Sequence, residues 1–443
     1  MSQTSDRASL PRSVPSSGAA GGFLEELRWR GLVQDVSEGL EARLARGPIS
    51  AYIGFDPTGR SLHIGHMVQV MLLTHLQRAG GRPVALVGGG TGMVGDPSGR
   101  SEERNLLDEA TLEANKANFR AQLERFLDFS PGPAGAVMLD NREWLGRYGL
   151  LEFLRDVGKH FTLSYMLAKD SVQLRLQRGL SFTEFSYMTL QAADFLHLYR
   201  EHGVEMQMGG ADQWGNITAG LELIRRVEGR EEGAEPAAFA LSTPLLLTGG
   251  GQKMGKTERG AIYLDPQLTS PFAFYQSWLN QPDDLVAAQL RRMTLLSRQA
   301  IEALEAEQVA HPEARPVQKA LAFDVTARAH GRAEAERQRR VAELAFAAEP
   351  LRDPADLALL YAALEGFEFS DEELRGGPIA LALAAGLYAS RGEARRAIAQ
   401  GGLSVNDARV ASPDAGLPEP IAGEWLVLRA GKRQLRIGRR RLG

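Results

Sequence analysis

Two histidines three residues apart, His63 and His66, bracket Gly65 directly after the Pro/Gly-rich run Asp56-Pro57-Thr58-Gly59. At that spacing they share one face of a helix. A strand that breaks into such a loop and then feeds a helix is a phosphate-binding arrangement, because the first N–H groups of the helix and its dipole face the loop. A glycine inside the helix start costs roughly 1 kcal/mol against alanine, which suggests that a ligand approaches the backbone there. Metal binding by the pair would need a third ligand, and none stands at a zinc-like spacing. Two structural histidines remain the plain alternative. A second basic cluster, Lys253 and Lys256 with Thr257, sits in a glycine-rich run from Gly249, suited to closing over a polyphosphate. A third set, Tyr187, Gln191 and Asp194, falls at i, i+4 and i+7 among Phe185, Met188, Leu190, Phe195 and Leu196. A polar line in so apolar a setting is costly unless paired, so it should line a polar ligand cavity.

The elements that must position these residues read as strands alternating with helices. Phe23 to Arg46 has an amphipathic helical pattern and leads into a buried strand from Ile49 to Phe55. A helix is expected from near Leu62, then a strand over Val84 to Val87. A charged helix from about Leu106 to Phe129 and a strand from Val137 to Leu139 follow, ending at Asp140-Asn141. This order argues for an α/β fold with a doubly wound, Rossmann-like parallel sheet, its sites at the C-terminal ends of the strands. Further on, Leu150 to Arg178 is mixed helix and Phe182 to His202 a strong helix. Val204 to Gly209 and Phe239 to Leu247 read as strands around a helix at Leu221 to Arg226. From Pro271 to about Phe367 the pattern is helical. The tail alternates a helix with short β segments, a compact α+β module. The expected divisions are therefore a leader over 1–22, a catalytic domain over 23–260 with an inserted helical region, a helical domain over 261–375 and a small module over 376–443.

Two textual matches fail on context. Gly90-Thr91-Gly92-Met93-Val94-Gly95 has the dinucleotide spacing, but Asp96-Pro97 follows where a helix should open. Gly250 to Thr257 has P-loop spacing, yet an extended run follows it rather than a helix.

Composition narrows the function classes. The 443 residues are 44% hydrophobic and 24% charged, as in globular domains, and no apolar run reaches the ~20 residues of a membrane span. Absence of cysteine rules out disulfides and thiolate metal sites and fits a reducing compartment. Residues 1–22 are Ser/Pro/Gly-rich without an apolar core, which fits a disordered leader or an organelle transit peptide rather than a secretion signal. Net charge is −4, but residues 377–443 hold 11 Lys/Arg against 5 Asp/Glu. A basic end on an acidic body suggests contact with a polyanion there, or a solvated charged face.

With these stretches in place, the chain resembles the bacterial-type tyrosyl-tRNA synthetases, members of the class I aminoacyl-tRNA synthetases. His63-Ile64-Gly65-His66 stands as the first class signature and Lys253-Met254-Gly255-Lys256-Thr257 as the second. The stretches Tyr52 to Thr58, Gly95 to Gly99, Tyr187 to Asp194, Gly209 to Asn216 and Ser390 to Ile398 also match, in the family's order, from Phe23 to the C-terminus.

The resemblance implies the following roles. Tyr52 and Asp194 would hydrogen-bond the phenol of a substrate tyrosine. Asp96, Tyr187 and Gln191 would bind its ammonium, with Gln213 and Asn141 nearby. His63, His66 and Thr58 would meet the ATP phosphates, and Gly54, Asp56, Gly65, Gly210 and Asp212 would face the nucleotide. Lys253, Lys256 and Thr257 would close over pyrophosphate, helped by Arg100 and Arg104. Ile53 replaces a ribose-contacting cysteine of some members, and Arg100 a frequent lysine. ATP is then a substrate, with Mg2+ expected alongside it and no metal bound by the protein. Partners would be tRNA(Tyr), L-tyrosine and a second copy of the chain, through the helices around Leu150 to Lys169, in the cytoplasm and off the membrane. A tryptophanyl-tRNA synthetase, a non-charging RNA-binding protein of the same fold and an adenylate-forming ligase without tRNA are the competing readings.

Overall fold

The computed structural model describes residues 21–96, 108–169, 172–173, 176, 179–229, 231, 234–246, 256–257, 260–347, 349–431 and 434–441. Two compact units emerge: one runs to Thr269 and resumes over Gln281–Leu321, the other comprises Ser270–Asn280 and Ala322–Gly443.

The first unit is built on six strands, β1 Asp35–Val36, β2 Ser50–Phe55, β3 Arg82–Val87, β4 Val137–Asp140, β5 Met206–Gly210 and β6 Phe239–Thr243, in the order β1-β6-β5-β2-β3-β4. All pairs are parallel except the edge pair β1 with β6. Parallel strands covered on both faces need near-continuous apolar runs, which is how β3 and β5 read. The chain winds outward from β2 to β4 and then returns to lay β5 on the other side of β2. The order therefore reverses between β2 and β5, and in such sheets ligands bind in the crevice beyond the carboxyl ends at the reversal.

The amphipathic stretch expected as one helix is two, Gly21–Trp29 and Leu40–Ala45, with β1 between them. Gly31 and Gly39, at φ 68° and 80°, break the helix on either side, and β1 adds itself to the exposed edge of β6. Downstream of β2 the regular helix begins later than expected: a 3-10 turn at Ile64–His66 precedes the Met67–Arg78 helix. The Phe182–His202 helix is anchored at its start by Ser181, which exchanges bonds with Glu184, and stopped by Gly203 at φ 63°. Two short strands, β7 Lys256–Thr257 and β8 Gly260–Ala261, form an antiparallel pair.

The second unit holds the helices Pro271–Leu279, Arg332–Ala345 and Pro354–Ala363 and a five-stranded sheet. Its strands are β9 Phe367–Phe369, β10 Leu403–Val405, β11 Ala408–Arg409, β12 Trp425–Ala430 and β13 Gln434–Arg440, in the order β11-β10-β12-β13-β9. β9 is parallel to β13, so the sheet begins ahead of residue 376, where the sequence places the start of the small module. Trp425, Val427 and Ile437 of that sheet share one core with Leu344, Leu357 and Leu360 of the helices. The module is thus packed onto the preceding helices through apolar side chains.

Candidate active site

The crevice at the reversal opens over Gly54. It is exposed although Ile53 and Phe55 on either side are buried, and a β-carbon there would meet nothing within 4 Å. The middle strand of the sheet thus carries a bare patch of backbone facing the crevice.

Leaving β2, the chain places Asp56 against Thr91 and Tyr187. Its carboxylate accepts from Thr91 Oγ1 at 3.0 Å and from the Tyr187 hydroxyl at 3.3 Å. A β-carbon on Gly88 would stand 2.2 Å from that carboxylate, so the close approach requires glycine. Thr58 closes the turn through its N–H, bonded to the Asp56 carbonyl at 2.8 Å.

The histidine pair caps the turn that follows. The Gly65 N–H donates to His63 Nδ1 at 3.1 Å, and the His63 N–H donates to His66 Nδ1 at 3.1 Å. The two rings stack with centroids 3.8 Å apart. With both Nδ1 atoms accepting, the neutral rings carry their protons on Nε2 and are donors there.

The strand that leaves the lysine-bearing loop runs beside this turn. Ile64 N–H donates to the Ile262 carbonyl at 2.9 Å and Leu264 N–H to the Leu62 carbonyl at 2.9 Å. Lys256 opposes Ala261 in the β7–β8 pair, and Ala261 adjoins the Ile262 that bonds to the histidine turn. Lys253, Arg100 and Arg104 lie outside the described residues, as do the side chains of Lys256 and Thr257.

At the end of β4, Asn141 is a hub, 1% exposed. Its carbonyl oxygen accepts from the Gly90 N–H at 2.8 Å, and its amide donates to Thr91 Oγ1 and to Asp194, each at 2.9 Å. Asp194 takes a second bond from the Trp144 indole N–H at 2.7 Å. Asp194 is 2% exposed and Tyr52 1%. Burial pushes the Asp194 carboxyl up to about 8, against the downward pull of its bonds to Asn141 and Trp144; Asp56 and Asp140 push it further up. The Tyr52 hydroxyl has no hydrogen-bond partner, and burial together with Asp194 holds it well above the ordinary phenol range. An orphaned buried O–H beside a buried carboxyl calls for a ligand group that both accepts and donates, as a phenol does.

A second polar chain runs along the neighbouring helix. Gln213 donates to Asp96 at 2.7 Å, Asn216 to Gln191 at 3.0 Å and to Gln213 at 3.3 Å. Its acceptor-rich end at Asp96 suits a cation. Gly210 closes β5 beside Asp212; a β-carbon on Gly210 would stand 2.6 Å from the Asp212 carboxylate.

The three residues of the polar stripe therefore each meet a different partner set: Tyr187 meets Asp56, Gln191 meets Asn216, and Asp194 meets Asn141 and Trp144. Sequence reasoning missed Trp144, Thr91 and Asn216 as site residues. Asn216 and Thr91 lie inside stretches quoted above, Thr91 in the glycine-rich run set aside on context, whereas nothing in the sequence around Trp144 marks it. Among the described residues no group of three or more His, Asp or Glu side chains is arranged to hold a metal. A cavity of ≈ 980 Å³ beside the outer face of the Trp214–Val227 helix touches the site only at Ala211 and Asp212. Its charged lining is mostly acidic, with Asp35, Glu38 and Glu222 among the carboxylates against Lys169 and Arg225.

Comparison with known proteins places this arrangement. The model for class I tRNA synthetases (W and Y) matches residues 44–347, and the chain belongs to that family. Tyrosine–tRNA ligases are similar to the chain over most of their length. The protein of that name from Cytophaga hutchinsonii is 47% identical, over 93% of this chain and 97% of its own. The one from Anaeromyxobacter dehalogenans (strain 2CP-1) is 49% identical, again over 93% and 97%. Among solved structures, a C-terminally truncated mitochondrial tyrosyl-tRNA synthetase from Aspergillus nidulans matches with a TM-score of 0.65 at 31% identity, covering 73% of this chain and 94% of that one.

The raised Asp194 carboxyl has a stability signature. In the unfolded chain it ionises near its ordinary value of about 3.9, in the folded chain at about 8. The folded state then binds the extra proton between those values, so the associated stability is complete below about pH 4 and is lost as pH rises to about 8. Relative to Asp194→Asn, the wild type should lose up to about 1.4 kcal/mol per pH unit between about pH 5 and about pH 7.5. Urea unfolding of both proteins across that range measures the difference; parallel stability profiles would mean that Asp194 ionises normally.

Proposed function

We propose that this chain is a tyrosine–tRNA ligase, which joins L-tyrosine and ATP into tyrosyl-adenylate and pyrophosphate and then transfers the tyrosyl group to the terminal adenosine of tRNA(Tyr). The observation that carries the reading is the buried pair of Tyr52, with its unpartnered hydroxyl, and Asp194. A tyrosine phenol donates to Asp194 while its oxygen accepts from Tyr52. Phenylalanine leaves the Tyr52 hydroxyl unpaired and offers nothing to Asp194, at a cost of several kcal/mol. Indole offers an N–H donor and no acceptor, so tryptophan cannot satisfy the Tyr52 O–H.

In the first step a tyrosine carboxylate oxygen attacks the α-phosphorus of ATP, and the bond to the β-phosphate bridge breaks. The carboxylate is ionised near neutral pH, so no general base is required. Positioning and charge stabilisation carry the catalysis. The Asp96–Gln213–Asn216–Gln191 chain supports placement of the ammonium, with Tyr187 beside it. Nε2–H of His63 and His66 donate to phosphate oxygens, with Thr58 at the same loop, while Asp56 and Asp212 face the ribose over Gly54 and Gly210. Lys253, Lys256 and Thr257, with Arg100 and Arg104, neutralise the departing pyrophosphate. Mg2+ bound with ATP would be held by the phosphates and water rather than by these side chains, and would supply further charge neutralisation there. In the second step a terminal ribose hydroxyl of the tRNA attacks the carbonyl carbon and AMP departs.

The basic module is read as the tRNA-binding end. On the Arg391–Ala399 helix, Arg391, Arg395 and Arg396 are exposed and, among the described residues, their side chains have no carboxylate partner, whereas Arg439 and Arg440 are paired with Glu424 and Asp371. Unpaired guanidinium groups one helical turn apart suit phosphates. A second copy of the chain is read as the cover for Leu150, Leu151 and Leu163, which are 74%, 80% and 67% exposed. No helix among the described residues is long and apolar enough to cross a membrane. We place the protein in the cytoplasm, with its substrates.

Four outcomes test this reading. ATP–pyrophosphate exchange should depend on tyrosine; exchange with tryptophan, or none, would refute the assignment. Asp194→Ala should raise the KM for tyrosine by roughly 10- to 100-fold, the worth of a lost hydrogen bond with its buried partner left unsatisfied, with the KM for ATP little changed. Replacing Arg391, Arg395 and Arg396 together by Glu should lower tRNA charging at least about tenfold and flatten its salt dependence while sparing exchange. This substitution is preferable to deleting the tail, since deletion would strip the apolar cover from Leu357 and Leu360. Sedimentation should give a dimer for the wild type and a monomer for Leu151→Arg with Leu163→Arg; dimer in both would locate the contact elsewhere.

A further inference from the structure

Asp194 is oriented by two donors of unequal rigidity. Asn141 is fixed on every side, by Gly90, Thr91 and the Val87 carbonyl that its own N–H reaches at 3.1 Å. Trp144 belongs to a single turn of helix, Arg142–Leu145, with little backbone to hold it. Its ring is nevertheless set by a contact that the reaction does not use: the imidazole of His197 lies flat against the indole, centroids 4.3 Å apart and planes 16° from parallel.

His197 stands three residues beyond Asp194 on the Phe182–His202 helix, so the carboxylate and the imidazole share a face. One helix therefore presents both the group that receives the indole N–H and the plate against which the indole is clamped. His197 is itself only partly buried, next to His202 at a centroid distance of 5.6 Å, and burial holds its pKa below the ordinary value. A neutral ring suits a flat stack of this kind.

We infer that His197 is a positioning residue for amino-acid selection: it fixes the plane of Trp144, and through the indole N–H fixes which lone pairs of Asp194 face the tyrosine phenol. The inference rests on the tyrosine reading given above. Its physical basis is that a binding group is no more precise than the shell that holds it. A Trp144 ring free to tilt would let the carboxylate rotate about its bond to Asn141 and meet the phenol with poor geometry, since hydrogen bonds weaken steeply off line.

The test compares tyrosine and phenylalanine in ATP–pyrophosphate exchange for wild type, His197→Ala and His197→Phe. His197→Ala should raise the KM for tyrosine roughly three- to tenfold, the worth of one aromatic pair, and lower the tyrosine-over-phenylalanine ratio by a similar factor. The KM for ATP should change less than about twofold. His197→Phe, which keeps a flat ring and removes the titratable nitrogen, should restore both quantities. Thermal unfolding of each variant separates a folding defect from a lost clamp, because partial unfolding lowers the active fraction without altering the ratio between two amino acids. An unchanged ratio in His197→Ala, or a fallen ratio that His197→Phe does not restore, overturns the positioning role. Wild type that shows no tyrosine dependence overturns the functional reading instead, so the two failures are told apart.

Discussion

One constraint shapes the site: a carboxyl group stands where water does not reach. Taking an ionised carboxylate out of water costs several kcal/mol even after the protein relaxes. A hydrogen bond to a charged group returns about 1.5–3 kcal/mol. Two donors, Asn141 and Trp144, thus offset most of the penalty for Asp194 without removing it, and the carboxyl settles at about 8. At that value the carboxyl keeps its proton through neutral pH and stays sensitive to any donor or acceptor placed beside it. Tyr52 carries the matching defect, a buried hydroxyl with no acceptor. One buried O–H at Tyr52 thus stands unsatisfied beside a carboxyl already bonded through both oxygens, the pairing that a phenol would complete.

Supporting that carboxyl sets demands far along the chain. Asn141 must follow β4 immediately, so the third parallel strand is placed to deliver it. Its carbonyl must also find donors, and the glycine-rich turn after β3 provides them through the Gly90 N–H. The same turn holds Thr91 against Asp56, which in turn receives the Tyr187 hydroxyl. Asp140, next to Asn141, is neutralised by Lys116 from the Glu109–Leu123 helix and packs against Gly89, where a β-carbon would stand 2.2 Å from its oxygen. Loop, strand end and two helices are tied into one network, and a change at any member reaches Asp194 through at most a few bonds.

How much of this was legible in the sequence depended on whether the signal was local. Strand β2, its loop and the histidine pair are contiguous, and the polar stripe of Tyr187, Gln191 and Asp194 shows in the period of one helix. The sheet followed from alternation of strand and helix patterns. What stayed hidden was made by partners distant in sequence. Two residues at β1 form a strand only because β6 offers them an edge. Trp144 becomes a donor to Asp194 across 50 positions, and its own neighbours in sequence say nothing of it. The helix start also moved, from Leu62 to Met67, because Ile64 and Leu264 exchange backbone bonds with residues on the opposite strand before helical bonding can begin. The β-module start moved for the same kind of reason, its first strand being recruited by its last.

The histidine pair shows how a local fold detail limits mechanism. Each Nδ1 accepts a backbone N–H that the turn would otherwise leave unpaired. Adding a proton at Nδ1 would break a cap bond, and Nε2 already carries the proton of the neutral ring. Neither imidazole can then accept a proton from a reacting group while the turn keeps its shape. The capping itself argues against a role as general base and is compatible with the proposed donation from Nε2–H to phosphate. That is the demand made by a reaction whose nucleophile is already ionised and whose developing charge lies on phosphate oxygens. The turn that begins the helix and the chemistry assigned to it thus impose the same tautomer on both rings.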